Sequence, residues 1–197
     1  FSFSTIVRTL PPSLVLPLPG RAVTYSASAE PVLYFQAMNV SNGVEFTLYP
    51  LSAEEIDRFR GLPAEGWQPS QHPRRTWRQP TEGKLNAYSL LATSLSGDGP
   101  LPIGDYMVRA DGGGQARPVF LFTVVNSMLV MKTSHNELLV WALDHDTGRP
   151  LAGVEVRVGG PGVQSANSTT DKGGVANFKF PFVPEPRSAG AIRATLS

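Results

Sequence analysis

Three histidines, His72, His135 and His145, are the first candidates for chemistry in this sequence of 197 residues. No two of them are spaced two or four residues apart, so they form no local zinc motif. Each falls in a predicted turn or loop, where a solvated histidine needs no functional partner. The sequence has no Cys, which excludes disulfides, thiolate metal sites and cysteine nucleophiles.

Carboxylates near residue 150 have part of the spacing of a calcium loop. Asp144, Asp146 and Glu155 occupy positions one, three and twelve of such a loop. The sixth position, which requires Gly, is Arg149, and strands are predicted on both sides where the motif has helices. We therefore predict that Asp144 and Asp146 organise a turn through Asx hydrogen bonds.

A second acidic group, Glu54, Glu55 and Asp57, lies in the best helix signal of the chain, residues 51–61. Ser52 and Glu55 have the spacing of a capping box. Acidic side chains in a first turn also interact favourably with the helix dipole. Helix capping is therefore favoured over a pair of catalytic carboxylates.

The Gly-rich stretches at 112–114 and 159–162 have the glycine content of a phosphate-binding loop, but neither has the Lys and the following helix that such a loop requires. The sequence also lacks a Gly-x-Ser-x-Gly nucleophile elbow. We therefore assign no catalytic, cofactor-binding or metal-binding residue, expect no cofactor, and predict that the chain is not an enzyme.

A basic and aromatic segment, "HPRRTWRQP", covers residues 72–80 and places three arginines around Trp77. It could stack on a base or bind an acidic partner, but an exposed loop between strands is favoured. The net charge is only +1 and there is no long Lys/Arg run, so we expect no nucleic-acid partner. The two glycosylation sequons, at Asn39 and Asn167, are explained by chance, and Asn39 suits the end of a strand.

Scattered Gly and Pro, 19 and 18 residues, favour an all-β architecture with many turns. In the first half, "PVLYFQAMNV" and "VEFTLY" are predicted to form a hairpin around Asn42-Gly43. A loop is predicted at 62–83. The strands "YSLLATSL", "IGDYMVRA" and "PVFLFTVV" follow, and the last is expected to be covered on both faces.

After Asn126 the strand pattern starts again with "MLVMKT", "ELLVWALD", "AGVEVRV", "GVANFKF" and "AIRATL", with a Gly-rich loop between the third and the fourth. Short strands at even spacing, with turn residues between them, are typical of a β-sandwich. In "ELLVWALD", Trp141 alternates with Leu139 and Leu143. We therefore expect Trp141 in the core, where Trp141→Ala would cost about 3–5 kcal/mol.

The domain division predicted from these patterns has three parts. Residues 1–25 are the end strand of a preceding domain, "FSFSTIV", and a Pro-rich connection. Residues 26–126 form one sandwich, and 127–197 form a second that we expect to be truncated. The chain is expected to be a piece of a longer polypeptide, and its apolar runs are too short to span a bilayer.

Two segments resemble the macroglobulin domains of bacterial α2-macroglobulin-like proteins. "ELLVWALD" is followed by "DTGRPLAGVEVRV", by a Thr-Asp-x-Gly turn at 170–173, and by "GVANFKF". Earlier, "VEFTLYPLSAEEIDRF" and "LPIGDYMVRA" are similar to the family's strand with its short acidic helix and to its Pro-Gly strand. Transthyretin-like and carboxypeptidase-regulatory domains share the first pattern, but both units in this order, over roughly 26–197, favour the macroglobulin family.

The resemblance implies tandem antiparallel β-sandwiches of macroglobulin or Ig-like type, with one short helix in the first. It implies scaffold domains of a large protein that traps proteases as an endopeptidase inhibitor and is exported to the periplasm, the cell surface or the medium. Partners would be other domains of the same chain and, through the full-length parent, proteases. The family's thioester requires Cys, so no catalytic residue is carried over. The alternative is a surface adhesion or carbohydrate- or protein-binding module, with Trp67 and Trp77 as its platform.

Overall fold

The computed structural model describes residues 8–17, 23–58, 67–114, 116–134, 136–160, 163–180 and 193–196. The segment 1–7, predicted to be the end strand of a preceding domain, lies outside the described residues. The chain divides into two compact units, Phe1–Val125 and Asn126–Ser197. Each unit is described separately below.

The first unit consists of two facing sheets and one helix. Its elements are β1 (Ser13–Val15), β2 (Val23–Ser26), β3 (Val32–Met38), β4 (Val44–Leu51), α1 (Ala53–Arg58), β5 (Arg75–Gln79), β6 (Ser89–Ser94), β7 (Gly104–Asp111) and β8 (Val119–Val125). The three-stranded sheet has the order β1-β3-β6, and the five-stranded sheet has the order β2-β8-β7-β4-β5. All pairs are antiparallel except β2 with β8, which is parallel. The predicted all-β sandwich with one short helix is confirmed.

The hairpin predicted around Asn42-Gly43 is wrong, because β3 and β4 belong to different sheets. The connection is instead a corner between the sheets, with Asn39 at φ 54° and Gly43 at φ 73°. A Cβ on Gly43 would lie 2.7 Å from the carbonyl oxygen of Gln79, so this position requires glycine. Positive φ marks tight turns in general and does not distinguish a hairpin from a corner.

Two stretches predicted to lie outside the sheets contribute edge strands. β5 falls within the predicted 62–83 loop and pairs with β4, where Trp77 lies opposite Phe46. β1 falls within the Pro-rich stretch 8–20 and pairs with β3. Prolines flank both strands, and an edge position suits a strand bounded by Pro because only one side of it must pair.

Aromatic side chains fill the core between the two sheets. Phe35 meets Phe46 edge to face with ring centroids 5.1 Å apart, and Trp77 stacks on Phe46 at 5.3 Å. Tyr106 stacks on Phe122 at 5.2 Å. In β8 the residues alternate between buried and half-buried, so this strand is largely covered on both sides, as predicted.

The second unit contains six strands among its described residues. They are β9 (Ser127–Thr133), β10 (Glu137–Asp144), β11 (Glu155–Gly160), β12 (Val163–Thr169), β13 (Val175–Lys179) and β14 (Arg193–Leu196). The sheets have the orders β13-β10-β9 and β12-β11-β14, all antiparallel. The predicted sandwich is confirmed, but β12 lies where a Gly-rich loop was predicted, and its register with β11 shifts between Val158 and Gly160.

The prediction that Trp141 lies in the core of the second unit is wrong. Leu138, Val140 and Ala142 are the buried residues of β10, together with Leu143 at its end. Trp141 is 39% exposed, on the outer face, where it pairs in register with Val130 and Val175. Its indole N–H donates to the carbonyl of Gly173 at 2.9 Å. Both faces of "ELLVWALD" are apolar, so alternation alone cannot tell the inner face from the outer.

Candidate functional site

The turn after β10, which begins the resemblance motif, is organised by Asp144. Its Oδ1 accepts hydrogen bonds from the Thr147 hydroxyl at 2.7 Å, from Thr147 N at 2.8 Å and from Asp146 N at 3.2 Å. The bonds from Thr147 lower the pKa of Asp144, since they stabilise its ionised form. The predicted Asx turn is confirmed at Asp144. The carboxylate of Asp146 lies 3.3 Å from Nδ1 of His145 instead.

Thr170 connects the two turns of the motif. Its side chain is buried, and the hydroxyl donates to Leu151 O at 2.6 Å and accepts from Val154 N at 3.0 Å. Next to it, Asp171 Oδ1 accepts from Gly173 N at 2.8 Å and from Val175 N at 2.9 Å. The hydroxyl and the carboxylate of the Thr-Asp-x-Gly turn are therefore occupied by backbone groups of the same unit.

The motif glycines also have backbone roles. Gly148 and Gly153 have φ values of 66° and 74°, and Gly174 has a φ of 77°. At Gly174 an added Cβ would lie 2.7 Å from Ala142 O. Glycine is thus required where β10 approaches the turn before β13, and the motif specifies turn geometry rather than a reactive centre.

The histidine and carboxylate candidates are distributed over both units, and the one contact between them in the described residues is that of His145 with Asp146. His72 lies in the first unit, His145 lies in the second, and His135 is outside the described residues. Glu155 Oε1 accepts a hydrogen bond from Asn167 Nδ2 at 2.8 Å. Within the described ranges, no group of three or more His, Cys, Asp or Glu side chains could hold a metal ion.

Glu55 closes the capping box of α1. Its Oε2 accepts from Ser52 N at 2.8 Å, and Glu55 N donates to the Ser52 hydroxyl at 3.3 Å, as predicted. Its second oxygen accepts from Ser70 N at 2.8 Å. Burial acts to raise the pKa of Glu55, but these hydrogen bonds from Ser52 and Ser70 outweigh burial and lower it. Glu54 is exposed, and the side chain of Asp57 is not described.

Most of the basic and aromatic segment forms the edge strand β5 rather than the predicted loop, although several of its side chains are exposed. The Trp77 indole N–H donates to Thr93 Oγ1 at 2.8 Å, while the guanidinium of Arg75 lies 4.4 Å from the ring centroid. Arg75 also donates to Ser94 O at 2.8 Å. Arg78 pairs with Glu45 at 3.1 Å. With Phe46 and Arg75 against its ring, Trp77 is not a free platform for a base or a sugar.

A groove of about 340 Å³ lies beside the Gly112–Gly114 turn. The charged side chains that line it are Glu45, Arg78 and Asp111. Each has a partner, because Arg78 pairs with Glu45 and Asp111 accepts from Arg117 Nε at 2.9 Å. Gly113 N also donates to Asp111 Oδ1 at 2.9 Å, so this Gly-rich stretch is an Asx turn.

Asn39, the asparagine of the first sequon, is hydrogen-bonded through both its amide nitrogen and its amide oxygen. Asn39 Nδ2 donates to Leu10 O at 2.9 Å and to Asn86 Oδ1 at 2.8 Å, and Asn39 Oδ1 accepts from Asn86 N at 2.8 Å. Asn86 also binds the main chain at Leu10 N and at Arg8 O, each at 2.8 Å. We call these two asparagines the Asn39–Asn86 clamp. It holds the segment before β1 against the end of β3.

The outer face of the three-stranded sheet is apolar and carries no charged side chain at its paired positions. Val15, Gln36 and Leu90 form one cross-strand row, and Tyr34 pairs with Ala92 in the next. Ser13 and Met38 form a third row, and the Ser13 hydroxyl meets the Tyr88 hydroxyl at 2.9 Å. Exposed fractions are 45% for Val15, 62% for Tyr34, 49% for Tyr88 and 69% for Leu90. We call this surface the β1-β3-β6 face.

The sequence did not identify the β1-β3-β6 face. In "LYFQAM" the buried residues Leu33, Phe35 and Ala37 alternate with Tyr34 and Gln36, which is a detectable signal for one buried face. Three of the exposed residues come from β1, from β6 and from the residue before β6. Their juxtaposition depends on strand pairing, which no local pattern shows.

No protein-family model and no curated protein matches this sequence. Among solved structures, native alpha-2-macroglobulin from Escherichia coli spanning domains MG0-NIE-MG1 is similar, with a TM-score of 0.70 and 20% identity. That match covers 98% of this chain, which spans 66% of the length of that structure. The structure spanning domains NIE-MG1 matches with a TM-score of 0.62 and 18% identity, over 95% of this chain and 96% of that one.

The chain has the fold of this part of E. coli alpha-2-macroglobulin. The predicted macroglobulin-like, tandem-sandwich architecture is therefore confirmed at the level of the fold. No helix in the described ranges is long and apolar enough to cross a membrane.

Proposed function

We propose that this chain is a pair of non-enzymatic scaffold domains from a larger, exported alpha-2-macroglobulin-like protein that traps proteases. The observation that carries the proposal is the match to the NIE-MG1 structure, which extends over nearly the whole of both chains. Fold similarity at 18% identity indicates an architecture and not an activity, so the trapping function needs its own test.

The two units would then correspond to two different domain types. Because the matched structure spans NIE followed by MG1, the first unit corresponds to NIE and the second to MG1. We retain the boundary between residues 126 and 127, and assign the macroglobulin type to the second domain, 127–197. The stretch assigned to the preceding connection, 1–25, contains β1 and most of β2, which pair within the first unit, so the first domain extends upstream.

The contacts within each unit support a scaffold role. Asp144, Thr170 and Asp171 hold turns, Glu55 holds a helix start, and the arginines of β5 hold neighbouring strands. These polar groups fix the geometry of turns, of a helix start and of neighbouring strands. The partners of such domains are other domains of the same polypeptide and, through the whole protein, proteases in the periplasm, at the cell surface or outside the cell.

A binding module remains the second candidate, because the β1-β3-β6 face exposes Tyr34 and Tyr88. Exposed aromatic side chains can stack on sugar rings or pack against a protein partner. This face replaces the predicted platform of Trp67 and Trp77. The Trp77 ring is packed against Phe46, and the Trp67 carbonyl accepts from Arg109 at 2.9 Å.

An inhibition assay tests the trapping proposal. The full-length protein and this chain alone are each titrated against several proteases, and cleavage of a large protein substrate is followed. We expect stoichiometric inhibition by the full-length protein and none by this chain. Inhibition by this chain alone would refute the scaffold role, and no inhibition by the full-length protein would refute trapping. Polysaccharide binding that is lost in Tyr34→Ala would support the second candidate.

A further inference from the structure

We infer that the β1-β3-β6 face is the docking surface for the domain that precedes this pair in the same polypeptide. The inference rests on the proposed function, because it requires a longer chain. The face combines aromatic and aliphatic side chains with no charged side chain at its paired positions, a composition similar to the buried centre of an interface. At the end of the face, the Ser94 hydroxyl bonds to the carboxylate of Glu30. Gln36 supplies one amide in the middle row.

The outer face of the five-stranded sheet provides the contrast within the same unit. Its paired positions carry Glu45, Arg78, Arg109 and Asp111. Arg78 is in an ion pair with Glu45 at 3.1 Å, and the guanidinium of Arg109 lies 5.6 Å from the Tyr49 ring centroid. Among the described residues, charged side chains therefore occur at paired positions of this outer face and not at those of the β1-β3-β6 face.

The size of the face decides what kind of partner fits it. Three strands at about 4.8 Å spacing and five residues at about 3.4 Å rise give roughly 240 Å². A free partner in a stable complex buries about 800 Å² on each side. Domains joined in one chain bury about 300–750 Å² on each side. As a flat outline, the area of the face is nearer to the lower end of the range for joined domains than to the area that a free partner buries.

The path of the chain indicates which tethered domain is in reach. The Asn39–Asn86 clamp binds the main chain at Arg8 and Leu10 and directs it into β1, the edge strand of this same face. Leu10 and Leu85, both exposed, lie beside the clamp. The main chain at Arg8 is thus held beside the border of the apolar surface. A tether of this kind gives millimolar effective concentrations, at which a small interface is populated.

Thiol labelling tests the inference, because this chain contains no Cys. Leu90→Cys and Tyr34→Cys place probes on the face, and Ile103→Cys is the control, since Ile103 is 59% exposed and directly precedes β7 of the five-stranded sheet. Each variant is made in this chain and in a longer one that adds the upstream polypeptide of the same gene, with any upstream Cys replaced by Ser. We expect labelling at 34 and 90 to slow about tenfold in the longer chain, while labelling at 103 is unchanged.

A second substitution guards against indirect effects. In the longer chain, Leu90→Lys should restore fast labelling of the Tyr34→Cys probe without changing the melting of the first unit. Equal labelling at all three positions, with the upstream domain present and folded, would overturn the inference and leave the proposed function standing. A gene that encodes no upstream domain would also overturn the inference, and a gene that encodes no further domain on either side would contradict the proposed function as well.

Discussion

The Thr170 hydroxyl is the side-chain group that ties the two turns of the second unit together. The hydroxyl is buried and hydrogen-bonded both to Leu151 O and to Val154 N. A substitution that removes the hydroxyl therefore takes a hydrogen-bond partner from both backbone groups. We expect Thr170→Val to lower the free energy of unfolding by about 1–3 kcal/mol. Urea titration measures the change. Thr169→Val, at the exposed neighbouring position, is the matched control, and an equal effect from both variants would contradict the assignment.

The exposed position of Trp141 changes the expected cost of its substitution, which the sequence had placed at the level of a core residue. Because Trp141 lies on the outer face, Trp141→Ala removes partial burial and one hydrogen bond and should cost about 1 kcal/mol. Leu138→Ala creates a cavity in the core and should cost about 2–5 kcal/mol. Urea titration of both variants gives the comparison. A larger loss of unfolding free energy for Trp141→Ala than for Leu138→Ala would contradict the assignment of Trp141 to the outer face.

The residues that sequence analysis placed correctly are those whose partners lie within a few positions. Asp144 bonds to Thr147, and Ser52 bonds to Glu55, so spacing alone reveals both contacts. The residues that it misplaced depend on distant partners. Trp141 is oriented by its pairing with Val130 and Val175, and Trp77 is packed by β4.

At the scale of elements, α1 has only six residues and depends on its capping contacts. The pKa of Glu55 is lowered in the folded state from 4.5. A lowered pKa means that the stabilisation is present above the unfolded pKa and is lost as pH falls through the folded pKa. Since Gln keeps the capping geometry without the charge, we expect Glu55→Gln to be less stable than the natural chain at pH 7, by about 1–2 kcal/mol.

This difference should disappear as the pH falls below the folded pKa of Glu55, because the natural side chain is then neutral as well. Urea titrations of both proteins between neutral and acidic pH measure it. Glu54→Gln, in the same turn but exposed, is the control and should show a smaller difference. A Glu55→Gln difference that persists unchanged in acid would show that charge is not what stabilises this contact.

The strands, like the residues, were predicted correctly where the signal is local and were missed where it depends on a distant pairing partner. The strands β7, β8 and β10 were predicted from the sequence, because their apolar residues indicate burial without knowledge of the pairing partner. β1 and β5 were missed, because Pro and Arg dominate their surroundings, and they exist as strands through pairing with β3 and β4. β12 was missed because Ser, Asn and Gly obscure a strand that is defined by its ladder with β11.

At the scale of the whole molecule, each unit has a hydrophobic core of its own. The first is built around Phe35, Phe46 and Phe122, and the second around Leu138 and Val156. The second core is smaller, and its unit spans only Asn126–Ser197, a length at which a single core is marginal. We therefore expect two unfolding transitions, with the second unit melting first.

Matched core substitutions test this independence. Phe46→Ala should cost about 3–5 kcal/mol and Leu138→Ala about 2–5 kcal/mol, each in its own unit. Trp67 and Trp77 lie in the first unit and Trp141 lies in the second. Tryptophan fluorescence therefore separates the two transitions when it is recorded on variants that keep either Trp67 and Trp77 or Trp141 alone. Each substitution should shift one transition and leave the other in place, because the lost contacts lie within a single core. If either substitution shifts both transitions by the same amount, the two units unfold as one cooperative body. The two sandwiches would then act as a single scaffold rather than as two independent ones.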